Sequence, residues 1–441
     1  MSKITVKEFS TNLDKFRVPL SSFEREKRKG LIPYYGAAKI IDYVDGFTHT
    51  GLSVLIAEDG SVETKNGYPV VQLANGEYWV NNHTHVLKGG DDIDTTYLYY
   101  ALQTIKVAPF VTGAVQKKIS QQALNSMEIP YFEDKTDRKR IVEILSSFDE
   151  KILLNTQINQ TLEQIAQALF KSWFVDFDPV RAKVQALSDG LSLEQAELAA
   201  MQAISGKTPE ELTALSQTQP DRYAELAETA KAFPCEMVEV DGVEVPRGWE
   251  YKPADELFDI GIGKTPLRKE TEWFSTNPDD MQWISIKDMG NSGVFITESS
   301  ELLTNQAVDK FNIRKIPEDT VLLSFKLTIG RVSITMCETT TNEAIAHFKI
   351  TDKSFLTTEY LYLFFQQFDF NSLGSTSSIA TAVNSKTIKG IEILIPNEEL
   401  IKTFQMKISN IFAQIKNLTI ENKNLVETRD LLLPKLLNGE I

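Results

Sequence analysis

A glycine-rich segment of the chain resembles the end of a phosphate-binding loop. Residues 261–265 read Gly-Ile-Gly-Lys-Thr, and the backbone amides and lysine of such a loop hold phosphate oxygens. The complete motif requires another glycine where this chain has Phe258, and Pro266 follows the segment at once. We therefore predict no nucleotide site there.

Two histidines stand close enough in sequence to suggest a pair of metal ligands. The segment 79–87 alternates like a strand, which would place His83 and His85 on one face. A metal site needs more ligands, and the remaining candidates lie far away in the sequence: His49, His347, Cys235 and Cys337. We interpret the histidines as structural and predict no metal site.

Motifs of several other enzyme classes are also missing from the sequence. The chain has no glycine-rich dinucleotide fingerprint after a strand and no nucleophile elbow. It has neither an acidic cluster of the restriction-nuclease type nor the Asn-Pro-Pro or Asp-Pro-Pro motif, followed by an aromatic residue, of an adenine methyltransferase. We predict that the chain catalyses no reaction and needs no cofactor of its own.

The elements that must position any functional residues occur twice, about 263 residues apart. Each half contains a Tyr-Leu-Tyr segment, an Ile-Pro pair and the start of a helical pattern: 97–99, 129–130 and Asp137 in the first half, and 360–362, 395–396 and Glu398 in the second. This order predicts two similar strand-rich domains, each followed by a long helix.

Both helices carry mostly apolar residues at alternating spacings of four and three, which is the pattern of a coiled-coil seam. The first seam is Ile141, Leu145, Phe148, Ile152, Asn155, Asn159, Leu162, Ala166 and Leu169. The same positions shifted by 263 are Phe404, Ile408, Ile411, Ile415, Leu418, Asn422, Leu425, Arg429 and Leu432. Asn159 and Asn422 correspond, and we predict that this polar pair sets the register of two facing helices.

The expected fold class is α+β, with two similar strand-rich domains joined by an antiparallel coiled coil in a pseudo-twofold dumbbell. A seam of roughly 30 residues spans on the order of 45 Å, a little over one turn of DNA. The alternative interpretation is two separate amphipathic helices, each packed on its own domain.

Length and composition agree with two domains in a reducing compartment. The 441 residues exceed what one core usually supports. Two cysteines are too few for the disulfide framework of a small secreted protein. No apolar run reaches membrane-spanning length. Met1 leads into polar sequence rather than a signal peptide. We expect a cytoplasmic protein.

The net charge of −15 argues against a chain that holds DNA by itself, because phosphate attraction usually requires a basic surface. Residues 182–260 contain 16 acidic and 6 basic residues, a net charge of −10, so most of the net negative charge lies in this one stretch. Its alanine-rich and glutamate-rich segments, broken near 205–209, predict short helices in a linker. The alternative is a docking surface for a partner subunit.

Three regions resemble the specificity subunits of type I restriction-modification systems. Residues 167–180, Gln-Ala-Leu-Phe-Lys-Ser-Trp-Phe-Val-Asp-Phe-Asp-Pro-Val, are similar to the central conserved region of that family, and 431–441 are similar to its distal conserved region. Residues 246–250, Pro-Arg-Gly-Trp-Glu, together with 261–266, resemble the opening of the second target recognition domain. The resemblance covers the whole chain.

The start of the first domain departs from the family pattern. It has no Pro-x-Gly-Trp opening, and residues 16–20 are only a partial counterpart of residues 264–267, at an offset of 247 rather than 263. If the opening strand is missing, the edge of this domain is completed differently.

The resemblance implies a division into five segments, which are a first target recognition domain at 1–135, the central conserved helix at 136–180, an acidic helical linker at 181–245, a second target recognition domain at 246–397 and the distal conserved helix at 398–441. It also implies that each domain reads half of a split DNA site in the major groove. The coiled coil then sets the spacer, which is the number of unread base pairs between the two halves.

The expected partners are double-stranded DNA, two modification subunits and two restriction subunits. In such complexes the modification subunits bind S-adenosylmethionine and flip an adenine for methylation, and the motor-nuclease restriction subunits use ATP and Mg²⁺. Partner surfaces can also supply the positive charge that this chain lacks.

Candidate DNA contacts are polar or basic residues on loops, since such side chains read base edges. The candidates are Arg17, Ser21, Ser22, Arg25, Lys117, Lys118, Lys264, Thr265, Arg268, Lys269, Lys326, Thr328, Arg331 and Lys386. Lys326, Thr328 and Arg331 surround Gly330 in a predicted turn between strands.

Two other classes of protein compete with this interpretation. A fused restriction-modification enzyme would need methyltransferase motifs, for which two recognition domains leave no room. A non-catalytic coiled-coil adaptor without DNA specificity would explain the seam but not two separate strand-rich domains.

Overall fold

A computed structural model describes residues 2–113, 116–240, 242–352, 354–373 and 383–441. The fold is α+β, as predicted. Contacts divide the chain into two compact units, one formed by Met1–Leu154 with Asn422–Ile441 and the other by Asn155–Glu421. Each unit therefore combines a strand-rich domain with parts of two long helices.

The strands up to residue 131 are β1 (Ser2–Thr5), β2 (Thr11–Asn12), β3 (Lys29–Tyr35), β4 (Ile40–Val44), β5 (His49–Thr50), β6 (Ser53–Ala57), β7 (Val71–Ala74), β8 (Glu77–Val80), β9 (Thr84–Lys88), β10 (Val111–Thr112), β11 (Lys118–Ile119) and β12 (Glu128–Tyr131). The later strands are β13 (Met237–Val240), β14 (Val243–Pro246), β15 (Glu250–Pro253), β16 (Asp259–Ile262), β17 (Phe274–Ser275), β18 (Met281–Ile284), β19 (Phe295–Ile296), β20 (Glu301–Leu303), β21 (Val321–Ser324), β22 (Val332–Thr335), β23 (Thr340–Thr341), β24 (Ile345–Lys349) and β25 (Glu392–Ile395).

The helices are α1 (Val6–Phe9), α2 (Ser22–Lys27), α3 (Asp92–Leu102), α4 (Gln121–Ser126), α5 (Lys135–Phe174), α6 (Asp178–Ser188), α7 (Leu193–Ser205), α8 (Pro209–Thr218), α9 (Pro220–Ala232), α10 (Ala254–Leu257), α11 (Ile286–Asn291), α12 (Asn305–Lys310), α13 (Thr358–Gln367), α14 (Ser385–Lys389) and α15 (Glu398–Leu437). Short 3-10 helices lie at Asp14–Phe16, Ala108–Phe110, Thr271–Trp273 and Phe370–Leu373.

The first domain is built on two four-stranded sheets, ordered β2-β9-β6-β7 and β4-β3-β8-β5. Strand β6 is buried along its whole length, since its run of aliphatic residues is covered by α3 and by neighbouring strands. Strand β1 pairs antiparallel with β12 and joins the start of the domain to its end.

The second domain repeats this plan. Its larger sheet has the order β16-β24-β21-β22-β19, and β17-β20-β18-β23 form a smaller sheet. Strand β15 pairs antiparallel with β25 in the way that β1 pairs with β12. Strands β21 and β22 are buried throughout, so the loop that joins them is held at a fixed place on the sheet.

The first domain has an opening strand, β1, although its sequence lacks the expected Pro-x-Gly-Trp motif. β1, α1 and β2 follow one another as β15, α10 and β16 do. The edge of the sheet is therefore completed in the same way in both domains. The pairing was not visible in the sequence, because β1 and β12 lie more than 120 residues apart.

The two long helices run antiparallel within each unit. In the second unit the side-chain amides of Asn155 and Asn159 donate to Glu421 (2.9 Å) and Thr419 (3.2 Å). In the first unit Arg429 pairs with Asp149, and Leu436 packs in one cluster with Ile141. None of the eighteen predicted seam positions is exposed. The coiled-coil prediction is therefore confirmed within each unit.

Each of the two seam asparagines bonds to the opposite helix within its own unit. Asn159 donates to Thr419, and the side chain of Asn422 donates to the backbone carbonyl of Ile152 (3.4 Å). Each asparagine thus reaches the opposite helix, but its partner is a residue offset along that helix.

The segment that resembles the central conserved region forms the middle of the second unit's core. Phe170, Trp173 and Phe174 are buried and surround Phe404 of α15 at ring-centroid distances between 4.9 and 6.0 Å. Phe174 also packs against Tyr360 of α13. These aromatic contacts attach both long helices to the second domain.

The acidic stretch contains helices α6 to α9, and the break predicted near 205–209 is the gap between α7 and α8. Ser192 and Thr208 each begin a helix with a capping box, in which the side chain accepts from the backbone three residues later. Among the described residues, no helix is long and apolar enough to cross a membrane.

Candidate nucleic-acid interface

The loops of the second domain that carry predicted DNA contacts leave the same end of the larger sheet. Ile262 of β16 pairs with Ala346 of β24, Ala346 pairs with Leu323 of β21, and Leu323 pairs with Val332 of β22. These four residues lie side by side at one end of the sheet. Three loops adjoin the strands at this end: 263–269, 325–331 and 342–344. We call these three loops the second-domain loop end.

Backbone hydrogen bonds hold two of these loops together. The N–H of Phe325 donates to the carbonyl of Ala344 (2.9 Å), and that of Lys264 donates to Thr341 (3.0 Å). These amides are engaged with carbonyl oxygens, so they do not form a phosphate cradle. The segment 261–265 enters no helix, so it lacks the helix N-terminus that follows a phosphate-binding loop.

The glycines of that segment allow neighbouring groups to pack closely against the backbone. A β-carbon at Gly261 would overlap the ring of His347 on the adjacent strand. A β-carbon at Gly263 would overlap the carbonyl oxygens of Thr341 and Asn342. Both positions therefore require glycine for close packing.

The first loop presents its basic residues in different ways. Lys264 is exposed, and its ammonium group donates to the carbonyls of Phe311 (3.2 Å) and Asn312 (2.9 Å). Arg268 pairs with Glu301 (2.8 Å) and lies 4.6 Å from the ring centre of Trp283. Thr265 donates to Glu343, and Lys269 is exposed.

The loop 325–331 is the turn that the sequence predicted between two strands. Lys326 and Thr328 are exposed. Arg331 is half-buried and donates to the carbonyl of Ile286 (2.5 Å), so it supports the loop from inside. Leu327 at the tip is 98% exposed, and it was not among the predicted contacts.

Lys386 belongs to a different part of the second domain. It lies on α14. Shortly after this helix, the backbone carbonyl of Ile391 accepts a hydrogen bond from the N–H of Ala254 in α10 (2.9 Å). α10 precedes β16, whereas the loop end follows it. The structure therefore does not bring Lys386 to the second-domain loop end.

The first domain has an equivalent loop end, formed by loops 13–18, 58–70 and 81–83. Ala57 at the end of β6 pairs with Thr84 at the start of β9. Arg17 donates to the carbonyl of Thr84 (2.9 Å) and pairs with Glu58 (2.6 Å). Lys118 pairs with the same Glu58 (3.0 Å).

Two predicted contacts therefore converge on Glu58, and a third lies nearby. Lys117 pairs with Glu63 in loop 58–70. Both lysines are exposed, but Arg17 is largely covered. The sequence did not single out loop 58–70, and its two glycines with Asn66 were the available signal for a connection between strands.

The remaining predicted contacts in the first domain lie around α2. Ser21 begins this helix with a capping box to Glu24, and Ser22 is exposed. Arg25 pairs with Asp42 on β4 (3.0 Å) and lies over the ring of Tyr34. Ser21 and Arg25 therefore have structural partners within the domain.

The prediction of one strand across 79–87 is wrong. Strand β8 ends at Val80 and β9 begins at Thr84, because the side chain of Asn81 accepts from the N–H of His83 (2.9 Å) and forms a turn. His83 is exposed and pairs with Asp59 (2.8 Å), whereas His85 is buried. The two histidines therefore do not share one face.

A buried cluster of Asp14, Glu58 and His85 brings together three potential metal ligands within 4.8 Å of one another. His85 Nδ1 lies 2.6 Å from Asp14, and its Nε2 lies 2.9 Å from the carbonyl of Ile119. Each ring nitrogen of His85 thus has a partner within the domain. Arg17 and Lys118 also contact this cluster, so the cations balance the carboxylates and an ion-pair network accounts for it.

The charges of this network perturb the carboxylates. Burial raises the pKa of Asp14, but the hydrogen bond and charge of His85 outweigh it and hold that pKa below its ordinary value. Glu58 behaves in the same way, since Arg17 and Lys118 lower its pKa more than burial raises it.

The other two histidines are also structural. Burial lowers the pKa of His49, whose ring stacks on Tyr78 at 5.6 Å. Burial, assisted by the charge of Arg314, lowers the pKa of His347 to about 4. Both rings are neutral at neutral pH.

The chain has two domains of the same plan, and each is followed by a long helix. Each domain carries basic side chains on loops at one end of a sheet. This arrangement is typical of a protein that recognises its target with two similar domains. The family described as type I restriction modification DNA specificity domain matches residues 3–164 and 246–428, which is more than half of the chain. The chain therefore belongs to the DNA specificity subunits of type I restriction-modification systems. Its role is recognition, and catalysis lies in other subunits of such systems.

Individual relatives agree with this assignment. The chain is 54% identical over 325 residues to the type I restriction enzyme HindI specificity subunit of Haemophilus influenzae, which covers 72% of this chain and 69% of the relative. It is 22% identical over 404 residues to the MjaIX specificity subunit of Methanocaldococcus jannaschii, covering 88% and 79%. The crystal structure of the S subunit from M. genitalium shares the fold, with a TM-score of 0.50 and 16% identity over 99% of this chain and 95% of that chain.

Proposed function

We propose that each domain reads one half of a bipartite DNA site in the major groove through its loop end. The observation that carries this proposal is the strand register of the second domain, which gathers the loops with Lys264, Arg268 and Lys326 at one end of a rigid sheet. Loops on a fixed scaffold suit base readout, because their side chains are positioned before DNA arrives.

The ion pairs at the loop ends are compatible with this role. Arg268 is held by Glu301 and by aromatic rings, so its guanidinium is oriented before binding. A DNA phosphate or guanine can replace an exposed carboxylate as its partner, since Arg binds both in bidentate geometry. Arg17, Arg25 and Arg331 act instead as supports of the loops.

The helices are proposed to dock two modification subunits. They carry large apolar side chains that are exposed and lie outside the seam: Leu153, Leu154, Ile165, Met406, Ile420 and Leu431. Exposed apolar residues in such number on long helices are typical of subunit contacts. The modification subunits bind S-adenosylmethionine and flip the target adenine, and two restriction subunits with ATP and Mg²⁺ complete the complex.

The proposed segments are a first reading domain at 1–135, helices at 136–180 and 398–441 that set the spacer, a linker at 181–245 and a second reading domain at 246–397. The proposed compartment is the cytoplasm, where chromosomal DNA and these partners are found together. Partner subunits supply the positive surface that a chain of charge −15 lacks.

The deciding experiment maps N6-methyladenine across the genome in cells with the modification subunit, with and without this chain. We expect methylation of one bipartite motif with a fixed gap only when the chain is present. Methylation that does not depend on the chain would contradict the proposal and favour the adaptor alternative.

A pair of charge reversals locates the reading surface. Lys264→Glu with Lys326→Glu should abolish methylation of the motif, because both side chains face DNA in the proposed complex. Lys349→Glu is the matched control, since Lys349 ends β24 at the opposite end of the same sheet and is exposed. Equal methylation by both variants would place the reading surface elsewhere.

A further inference from the structure

The turn between β21 and β22 exposes an aliphatic side chain, that of Leu327, to solvent. Leu327 is 98% exposed, although the strands on both sides of the turn are fully buried. Its φ angle is 60°, a left-handed conformation that is unfavourable for leucine. Neither burial nor backbone preference therefore explains a leucine at this position.

Hydrogen bonds close the turn on both sides of Leu327. The hydroxyl of Ser324 donates to the carbonyl of Thr328 (2.6 Å) and accepts from the N–H of Arg331 (3.0 Å). The N–H of Gly330 donates to the carbonyl of Ser324 (3.0 Å), and a β-carbon at Gly330 would lie 2.9 Å from the ring of Phe370. Strain that persists in a well-supported turn is typical of functional sites.

The charged side chains within the turn are all positive. No acidic residue occurs between Asp319 and Glu338, whereas Lys326 and Arg331 flank Leu327 on either side. Lys326 is exposed beside the tip, and Ile329 extends the apolar surface, being 37% exposed. The chain as a whole has a net charge of −15. An apolar tip next to cations suits the major groove of DNA, because phosphates line its edges and can pair with the cations.

We propose that Leu327 contacts the 5-methyl group of a thymine in the half-site read by the second domain. This inference rests on the proposed function, because the tip belongs to the second-domain loop end. The thymine methyl is the apolar group that base pairs display in the major groove, and aliphatic side chains read it by contact.

The test uses the complex with its modification subunits and a duplex carrying the bipartite motif found by methylation mapping. Each thymine of the half-site is replaced in turn by deoxyuridine, which removes only the 5-methyl group. At one position we expect binding by the unchanged protein to weaken about fourfold, the equivalent of one buried methyl group. The same replacement should leave binding by Leu327→Ala unchanged.

Two control variants separate recognition from stability. Leu31→Ala removes a leucine that is 92% exposed in the first domain, and it should keep the fourfold effect in the second half-site. Leu327→Gly relieves the left-handed strain, so its Tm should rise by about 2 °C while its DNA binding weakens.

The outcomes distinguish the inference from the function on which it rests. If the unchanged complex binds the motif specifically but every deoxyuridine effect is the same in Leu327→Ala, the thymine contact is wrong and the proposed function stands. If the unchanged complex shows no sequence-dependent binding, both are wrong.

Discussion

At the scale of single residues, two glycines and a histidine explain why a phosphate-loop-like motif occurs in a chain of recognition domains. Gly261 lies directly across from His347 in the paired strands β16 and β24. The ring of His347 occupies the space that a side chain at position 261 would fill. Gly263 lets the chain pass close to the carbonyls before β24, so the motif serves sheet packing.

The substitution Gly263→Ala should lower the free energy of unfolding by about 2 kcal/mol, because the new methyl group overlaps backbone oxygens that cannot rotate away. Urea unfolding of the full chain measures the change. Gly293→Ala is the control, since Gly293 has open space around its β-carbon position, and it should change stability by less than about 0.5 kcal/mol. Equal effects at both positions would refute the packing explanation.

The buried His347 makes stability depend on pH. Its pKa is lowered from 6.5 to about 4 in the folded chain, so the unfolded chain takes up a proton first as the pH falls. Stability is therefore full above pH 6.5 and declines towards pH 4, by about 2 kcal/mol between pH 7 and pH 5. Urea unfolding at these two pH values should show this loss in the unchanged chain.

The variant His347→Gln isolates the contribution of this histidine. Glutamine carries no proton that titrates in this range, so the variant should lose about 2 kcal/mol less than the unchanged chain over the same pH interval. An identical pH dependence in both proteins would show that other groups are responsible.

At the scale of elements, the antiparallel helices combine apolar packing with polar side chains at the seam. Asn155 is fully buried and donates to Glu421, and Asn159 reaches Thr419. Polar seam residues favour one register because any other alignment leaves their amides buried without suitable partners. The pattern thus exchanges some stability for a defined alignment of the helices.

Replacing both Asn159 and Asn422 by leucine should raise the free energy of unfolding by about 1 kcal/mol, since an apolar seam packs better. It should also broaden the distribution of spacer lengths seen in methylation mapping. Asn424→Leu is the control, because Asn424 is exposed on the same helix. A double variant that is less stable than the unchanged chain would contradict the register role.

At the scale of the whole molecule, two similar domains and two long helices form a chain whose function is to recognise separated sites. Residues 182–260 carry a net charge of −10 out of the chain's −15, so the rest of the chain carries only −5. The domains therefore retain local basic groups despite the net charge of −15.

Lengthening both helices by seven residues should lengthen the unread spacer by about three base pairs. Repeating 149–155 in α5 and 412–418 in α15 adds one seam repeat, which is about 10 Å of helix. Methylation mapping should then find unchanged half-sites at a larger separation. An unchanged spacer would show that the helices do not set the distance.

An insertion of five residues at each of the same places is the control for the lengthened helices. Five residues turn the helix well away from the seam, so the apolar positions beyond the insertion no longer face their partners. We expect this variant to lose stability and methylation together.

Local sequence patterns predicted the long helices well, but one predicted strand is wrong. The two long helices begin at Lys135 and Glu398, within two residues of the predicted starts, because their periodicity is a local property. The strand predicted across His83 and His85 is wrong, since one hydrogen bond from the N–H of His83 to the side chain of Asn81 is enough to make a turn. The role of Arg17 depended on Glu58, 41 residues away.

The sequence by itself determined the α+β class, the repeat of two domains, the seam positions and the family, because each follows from periodicity or from contiguous motifs. Only the tertiary structure decided which loops share a sheet end, which arginines support loops, and that Leu327 stands exposed. Those properties depend on the pairing of strands far apart in the chain, such as β16 with β24. No local pattern specifies such a pairing.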